Sequence, residues 1–244
     1  GTVELLEPGE RARICGLLIN KFRGDVEILR PGLAMLEEKT RLPVVGVVPY
    51  LKVDIEDEDS LSDRLQQKNA VKPLDVAIVR LPHISNFTDF MPLEQHPLLG
   101  VRYVQAAREL GMPDLIILPG TKNTVNDLLW LRQCGLETAV QKLARRGTPV
   151  LGVCGGYQML GGMLDDSAGT ESGRPQTLRG LELLPTRTVF TLEKRRAQVT
   201  ATAAAPFAGA ALTGYEIHTG RTTVAGAPFC TLADGTPDGC VQGS

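Results

Sequence analysis

The chain has 244 residues, of which 43% are hydrophobic, 22% charged and 5% aromatic, a composition typical of a globular protein. Its 26 lysines and arginines nearly balance 28 aspartates and glutamates, so the formal charge of −2 predicts neither a nucleic-acid partner nor a membrane-surface partner. No apolar run approaches the ~20 residues of a membrane span, and the N-terminal residues lack the pattern of a signal peptide. We therefore expect a cytoplasmic protein.

The first 52 residues predict one β-α-β unit. Residues 14–20 and 42–49 are unbroken apolar runs, which suit parallel strands covered on both faces. The apolar spacing between them predicts a helix over 28–39. A single crossover is too small to stand alone, and an acidic, polar stretch follows at 53–72. We expect that stretch to be a linker and residues 73–244 to form a second domain.

Beyond the linker, predicted strands and helices alternate, which indicates an α/β fold with an open, mostly parallel sheet. Strands are expected at 74–80, 101–104, 115–118 and 150–153, with helices from Asn123 or Thr124 through Leu131 and over 136–146. The polar stretch 165–179 predicts a surface loop. Shorter strands are expected after it at 181–184, 188–192, 197–201 and 214–217, while the alanine-rich residues 201–211 predict neither state clearly.

The nucleophile turn, residues 152–156, places Cys154 where a buried strand ends and a helix begins. Gly152 and Gly156 allow close backbone contacts, which would push the thiol outward at the carboxyl edge of the sheet, where open α/β sheets bind ligands. The start of the next helix should favour a thiolate. The other four cysteines form no CxxC pair, so we expect reduced, core-packed thiols and no metal site; they are Cys15, Cys134, Cys230 and Cys240.

The oxyanion turn, residues 118–122, also joins a hydrophobic strand to a helix through a glycine. In a parallel sheet this turn can lie beside the nucleophile turn. We expect one oxyanion donor from the backbone around Gly120 and Thr121 and the other from the N–H of Gly155, as acyl transfer requires. Taken alone, the turn is equally well explained as an ordinary strand-to-helix connection.

The spacing Gly152-x-Cys154-x-Gly156-x-Gln158 resembles the GxCxGxQ nucleophile motif of class I, triad-type glutamine amidotransferases. The fuller Cys-Gly-Gly-Tyr-Gln-Met-Leu-Gly sequence is similar to the cobyric acid synthase family, and so are residues 16–25, 118–124 and 214–221. The resemblance implies a glutamine amidotransferase fold and a glutaminase that supplies ammonia for amidation of adenosylcobyrinic acid a,c-diamide in cobalamin biosynthesis. Cys154 would be the nucleophile, and Gln158, one helical turn later, would hold the bound glutamine.

The same resemblance implies that residues 1–52 are the C-terminal remnant of a dethiobiotin-synthetase-like ATP-binding domain, and that the amidotransferase domain at 73–244 is truncated at its C-terminus. No GxxxxGK[ST] phosphate loop occurs in the chain. We therefore expect no cofactor in this fragment, with ATP and Mg²⁺ acting in the full-length enzyme, and corrinoid binding through the missing N-terminal domain. The fragment itself is expected to be inactive.

The general base admits two assignments. His218 is the only histidine after Cys154, so chemistry alone makes it a candidate. The resemblance instead implies a catalytic histidine in a motif of the form TYLHG, which this chain does not contain, and it places His218 in a different motif. His218 is therefore a minor candidate, better explained by a structural role. His83 and His96 are expected to be loop residues.

Two other functions share these features. Cobyrinic acid a,c-diamide synthase and the glutaminase subunit of lipid II isoglutaminyl synthase have the same Cys-Gly-Gly-Tyr-Gln turn, although residues 18–25 argue against both of them. An amidotransferase-like domain can also serve as a non-catalytic docking module. Measuring ammonia release separates catalysis from docking.

Overall fold

The structure, a computed structural model, describes residues 2–50, 72–204 and 206–243. These residues form two compact units, one within residues 2–50 and the other comprising the remaining described residues. The predicted linker at 53–72 lies outside the described residues except for Lys72. No helix in the described ranges is long and apolar enough to cross a membrane.

The first unit has the predicted β-α-β order. Two short helices, α1 (Thr2–Leu5) and α2 (Pro8–Arg11), precede β1 (Leu17–Phe22), α3 (Val26–Thr40) and β2 (Val44–Pro49). The strands pair in parallel, and the Asp25 carboxylate caps α3 by accepting from the N–H of Glu27 at 2.9 Å.

The expectation that both faces of this strand pair are covered is wrong for the described unit. Leu18 is 59% exposed and Val45 is 68% exposed. A single crossover helix covers only part of one face of a two-stranded sheet, so apolar side chains of the strands stay exposed. Cys15 also departs from its expected buried position, because β1 begins two residues after it and leaves the thiol exposed.

The second unit contains a four-stranded sheet that confirms the predicted α/β class. Its strands are β3 (Leu74–Val79), β4 (Leu99–Val104), β5 (Leu115–Leu118) and β6 (Val150–Gly152), in the order β4-β3-β5-β6. All three pairings are parallel. Each strand therefore ends at the same edge, where the nucleophile turn and the oxyanion turn begin.

Helices and side chains cover both faces of this sheet, because its strands are almost entirely apolar. The helical elements are a 3₁₀ turn (Phe87–Phe90), α4 (Met91–Gln95), α5 (Ala107–Leu110), α6 (Thr124–Gln133), α7 (Leu136–Ala144) and α8 (Gly155–Leu160). Ile116 and Leu118 pack into one core cluster, with side chains from α6, α7 and α8, while Ile117 packs into the cluster on the opposite face. The carboxyl edge of the sheet is thus supported by hydrophobic core clusters on both faces.

A second sheet follows, built around one long hairpin. Its strands are β7 (Met163–Asp166), β8 (Gln176–Arg179), β9 (Thr186–Ala203), β10 (Ala211–Val224), β11 (Cys230–Leu232) and β12 (Pro237–Asp238). β9 pairs with β10 in an antiparallel register and with β7 in parallel. The hairpin carries residues 217–220 to the nucleophile turn.

Several boundary predictions in this region are wrong. The strands expected at 188–192 and 197–201 are parts of the single strand β9, and part of the loop expected at 165–179 is the strand β8. Residues 181–184 are not a strand, because the main-chain N–H groups of Leu181 and Leu183 donate to Met159 and Leu160 at the end of α8. Residues 201–211, for which the sequence predicts neither state, include the end of β9 at Ala203 and the start of β10 at Ala211.

Candidate active site

The nucleophile turn holds Cys154 in a strained backbone conformation. Its φ of 49° and ψ of −109° lie in a region that L-residues rarely occupy. The turn is pinned on both sides, since the N–H of Val153 donates to Leu118 at 3.0 Å and the carbonyl of Cys154 accepts from Gln158 at 3.0 Å. The surrounding structure therefore fixes the thiol at the end of β6, and the side chain is exposed.

The glycines of this turn allow three backbone segments to touch. A Cβ on Gly156 would overlap the carbonyl oxygen of Leu118, and one on Gly152 would lie 2.6 Å from the Cα of Tyr157. A Cβ on Gly155 would lie 2.6 Å from the Cγ2 of Thr121. These approaches let α8 start directly against the oxyanion turn, which no side chain larger than hydrogen would permit.

The structure brings the nucleophile turn and the oxyanion turn together. A Cβ built on Gly120 would lie 3.8 Å from the Cβ of Cys154, and the main-chain nitrogen of Thr121 lies near Gly155. The N–H of Gly155 also points to the Cys154 sulfur. The predicted donors, Gly120 and Gly155, therefore flank the thiol from two adjacent turns.

The surroundings of the Cys154 sulfur have opposing effects on its pKa. Although the residue is exposed, nearby protein atoms desolvate the sulfur and raise the pKa of the thiol, the Gly155 N–H lowers it and the negative charge of Glu171 raises it, with a net upward shift. The thiol also donates to the main-chain oxygen of Ile217 on β10 at 3.7 Å. The Gly155 N–H at the start of α8 acts in the predicted direction, but desolvation of the sulfur outweighs it, so we expect ionisation of Cys154 to need a base or a nearby positive charge.

Gln158 is buried at the point where three elements meet. Its Oε1 accepts from the hydroxyl of Thr124 on α6 at 3.2 Å, and its Nε2 lies against Gly220 of β10. The side chain is 6% exposed. Gln158 thus joins the α6 start, α8 and β10 beside the thiol.

Glu171 is a site residue that the sequence analysis missed. Its Oε1 accepts from the main-chain N–H of Thr124 at 2.7 Å, and its charge acts on Cys154. The residue lies in the Glu171 loop, residues 166–172, inside a stretch predicted only to be a polar surface loop. Glu171 therefore adds a negative charge that acts on the nucleophile.

A second carboxylate, Asp166, holds the Glu171 loop in place. Its side chain is fully buried and accepts from the N–H of Glu171 at 3.1 Å, from the N–H of Ser172 at 2.8 Å and from the Ser172 hydroxyl at 2.7 Å. Burial alone would raise the pKa of Asp166, but the hydrogen bonds from Ser172, Glu171 and Thr170 outweigh it and lower the pKa. The pattern of Asp followed by Thr, Glu and Ser within six residues was the available signal.

His218 lies on the strand above the thiol but presents no free nitrogen to it. Its Nδ1 faces the carbonyl oxygen of Gly220 at 2.7 Å and its Nε2 faces Glu216 Oε1 at 2.9 Å. Arg195 binds the other oxygen of Glu216 at 2.6 Å. With both ring nitrogens turned to acceptors, His218 fits a structural role in the β9–β10 hairpin and does not fit the role of general base.

The other two histidines differ from each other. His96 is an exposed loop residue whose Nδ1 accepts from the N–H of Leu98 at 3.3 Å. His83 also lies in a loop, as expected, and in addition its ring pairs with the buried carboxylate of Asp127 at 2.7 Å. Sequence spacing gives no sign of this pair, because the two residues are 44 positions apart.

Comparisons with known proteins identify the family of this chain. Residues 75–244 match the family model of the CobB/CobQ-like glutamine amidotransferase domain. Over 233 residues the chain is 52% identical to the cobyric acid synthase of Lachnoclostridium phytofermentans, which covers 91% of this chain and 45% of that protein. The cobyric acid synthase of Moorella thermoacetica is 46% identical over 255 residues, covering 96% of this chain and 49% of that protein.

The chain thus spans about half the length of the relatives it matches. Among solved structures, a glutamine amidotransferase superposes with a TM-score of 0.47 at 15% identity, over 66% of this chain and 82% of that one.

Proposed function

The chain belongs to the family of CobB/CobQ-like glutamine amidotransferase domains, and from this membership we propose that Cys154 is the nucleophile with which the full-length enzyme releases ammonia from glutamine. The observation that supports this role most strongly is the strained, exposed thiol flanked by the Gly120 and Gly155 turns. A nucleophile with main-chain donors on both sides is the arrangement that acyl transfer from an amide needs.

The proposed reaction has two steps. The Cys154 thiolate attacks the side-chain amide carbon of glutamine, forming a C–S bond, and the N–H groups near Gly120 and Gly155 stabilise the oxyanion. The C–N bond then breaks, and the nitrogen leaves as ammonia after taking up a proton. Water cleaves the resulting γ-glutamyl thioester to give glutamate and the free thiol.

In this proposal Glu171 recognises the α-ammonium group of glutamine. Its negative charge acts on Cys154, and it would offer the α-ammonium group of a bound glutamine an opposite charge. Pairing with that ammonium would also offset the repulsion between Glu171 and a thiolate, so bound substrate would favour ionisation of Cys154. Gln158 would complete the pocket wall between α6 and β10.

We further propose that the ammonia amidates adenosylcobyrinic acid a,c-diamide in cobalamin biosynthesis, because the chain is 46–52% identical to cobyric acid synthases. This activity belongs to a larger enzyme whose other domain binds ATP, Mg²⁺ and the corrinoid. The present 244 residues contain no GxxxxGK[ST] phosphate loop, so we assign ATP binding to that other domain. In that enzyme, Cys154→Ala should abolish glutamine-dependent amidation and retain amidation driven by added ammonia.

The glutaminase chemistry is tested on this chain with the γ-nitrophenyl ester of L-glutamate. Its leaving group departs without the protonation that ammonia requires, so acylation reports the nucleophile and the oxyanion donors directly. We expect a burst of nitrophenolate, a γ-glutamyl group mapped to Cys154 by mass spectrometry, and suppression of both by L-glutamine.

The controls are Cys154→Ala, which should give no burst, and Cys15, an exposed thiol in the same chain that should stay unacylated. A burst that survives in Cys154→Ala, or an acyl group found on Cys15, would contradict the proposed function.

A further inference from the structure

The carboxylate of Asp127 is buried completely and has no part in the reaction described above. It lies in the first turns of α6, and its side chain has 0% exposure. One oxygen receives His83 Nδ1 at 2.7 Å, and the other receives the main-chain N–H of His83 at 3.3 Å and the hydroxyl of Thr121. A carboxylate accepts and does not donate, so Nδ1 is the protonated nitrogen of this ring. Burying a carboxylate is costly unless hydrogen-bond donors surround it, so we infer that Asp127 has a structural role.

The partners of Asp127 belong to two segments that also bind each other. The main-chain oxygen of His83 accepts from the N–H of Lys122 at 2.9 Å and lies 3.1 Å from Thr121 Oγ1, whose proton is directed to Asp127. Two residues on, the N–H of Ser85 donates to the carbonyl of Gly120 at 2.9 Å. Residues 83–85 are therefore joined to the oxyanion turn along its length, and Asp127 anchors both.

The oxyanion turn is the part of the site that needs such an anchor. Its glycine has no side chain to pack, and the backbone there must stay close to Cys154, with Gly120 within van der Waals distance of the Cys154 Cβ position. A donor works in catalysis only when it is already aimed at the position where negative charge will develop. A turn that could relax away from the thiol would lose this advantage.

We propose that the His83–Asp127 pair is a positioning device that fixes the main-chain donor of the oxyanion turn beside Cys154. The pair holds the turn through Thr121 and through the main chain of His83, so its proposed effect on the reaction is indirect. This role rests on the proposed function, because an oxyanion donor matters only if Cys154 attacks a carbonyl carbon.

The experiment compares two reactions of the same thiol. Acylation by the γ-nitrophenyl ester passes through an oxyanion, whereas alkylation by iodoacetamide does not, so only acylation depends on the position of the donor. We expect His83→Ala to slow acylation of Cys154 by roughly tenfold or more, since misplacing one donor by a fraction of an ångström has effects of that order. Alkylation of Cys154, and its suppression by L-glutamine, should stay at the wild-type rate.

Two further variants sharpen the comparison. His83→Asn keeps a side-chain N–H where Nδ1 lies, so it should recover most of the acylation rate lost in His83→Ala. Asp127→Asn should slow acylation at least as much as His83→Ala; because it alters a buried group, the conclusion rests on His83, whose side chain is 48% exposed.

The outcomes separate the two proposals. Wild-type acylation at Cys154 with an unchanged rate in His83→Ala would overturn the positioning role and leave the proposed function intact. Equal slowing of acylation and alkylation would also overturn it, because the effect would then be on the thiol and not on the donor. If wild-type Cys154 is alkylated but not acylated, the proposed function fails.

Discussion

The nucleophile turn and the Glu171 loop lie side by side, yet different forces hold them. In the nucleophile turn, glycines let backbone segments meet at distances that exclude any side chain, and the conformation of Cys154 is fixed by this packing. In the Glu171 loop, one buried carboxylate gathers main-chain and hydroxyl donors from residues 170–172. Adding a side chain should therefore disrupt the nucleophile turn, whereas removing hydrogen-bond acceptors should disrupt the Glu171 loop.

This difference decides what the sequence can predict. Gly152, Gly156 and Cys154 stand close together in the chain, so the turn, its strand and its helix could be recognised from spacing alone. Glu171 and its target Thr124 are 47 positions apart, and the acceptor role of Asp166 depends on a loop conformation that local patterns do not determine. The parallel sheet was predictable because its strands are unbroken apolar runs.

The long hairpin shows a second limit of sequence reasoning. The charged run at 193–196 interrupts the apolar alternation and predicts two strands where the structure has the single strand β9. Pairing with β10 along nearly its whole length overrides that local signal. The motif around His218 predicts that it is only a minor candidate for the base, and the two engaged ring nitrogens that argue against this role are visible only in the structure.

The largest expected effect is on the stability of the nucleophile turn, whose conformation is fixed by steric packing. Gly156→Ala should destabilise the second unit by about 3 kcal/mol or more, because its methyl group overlaps the buried backbone of Leu118. Chemical denaturation followed by circular dichroism measures the change. Gly214→Ala is the matched control, since a Cβ there meets no atom within 4 Å, and it should be close to neutral. Equal stability of the two variants would contradict steric fixation of the turn.

The next effect is on the loop held by hydrogen bonds. Asp166→Asn places an amide donor opposite the donors of residues 171 and 172, so Glu171 should lose its fixed position. We expect the L-glutamine concentration that half-protects Cys154 from iodoacetamide to rise about tenfold, which corresponds to ~1.4 kcal/mol.

The rate of alkylation without glutamine should not change in this variant. Asp165→Asn is the control, because Asp165 pairs with Arg187 and does not contact Glu171. A similar loss of protection in both variants would show that the loop is not held through Asp166.

A smaller effect is expected from the electrostatic interaction between Glu171 and the Cys154 thiol. Glu171→Gln removes a negative charge beside Cys154, so the raised pKa of the thiol should fall, although burial, its main cause, remains. The pH profile of iodoacetamide alkylation should shift to lower pH, with a faster rate at any pH below the thiol pKa. Protection by L-glutamine should weaken at the same time. A shift to higher pH, or no shift, would remove Glu171 from the electrostatics of the site.

The smallest effect is expected on the hairpin. His218→Gln should leave the alkylation rate of Cys154 and its pH profile unchanged, because the imidazole bonds within its own hairpin, to Gly220 and Glu216. Stability should fall by about 1 kcal/mol as the hydrogen bond to Gly220 is lost. A pH profile displaced by this substitution would return His218 to the role of general base.

The most direct test of Cys154 as a glutamine-directed nucleophile is the site of reaction with a diazoketone analogue of glutamine. Two exposed thiols, Cys154 and Cys15, then compete within one chain. Our account predicts a single adduct at Cys154, prevented by L-glutamine, even though burial raises the pKa of that thiol. An adduct at Cys15, or labelling of Cys154 that L-glutamine does not prevent, would contradict it.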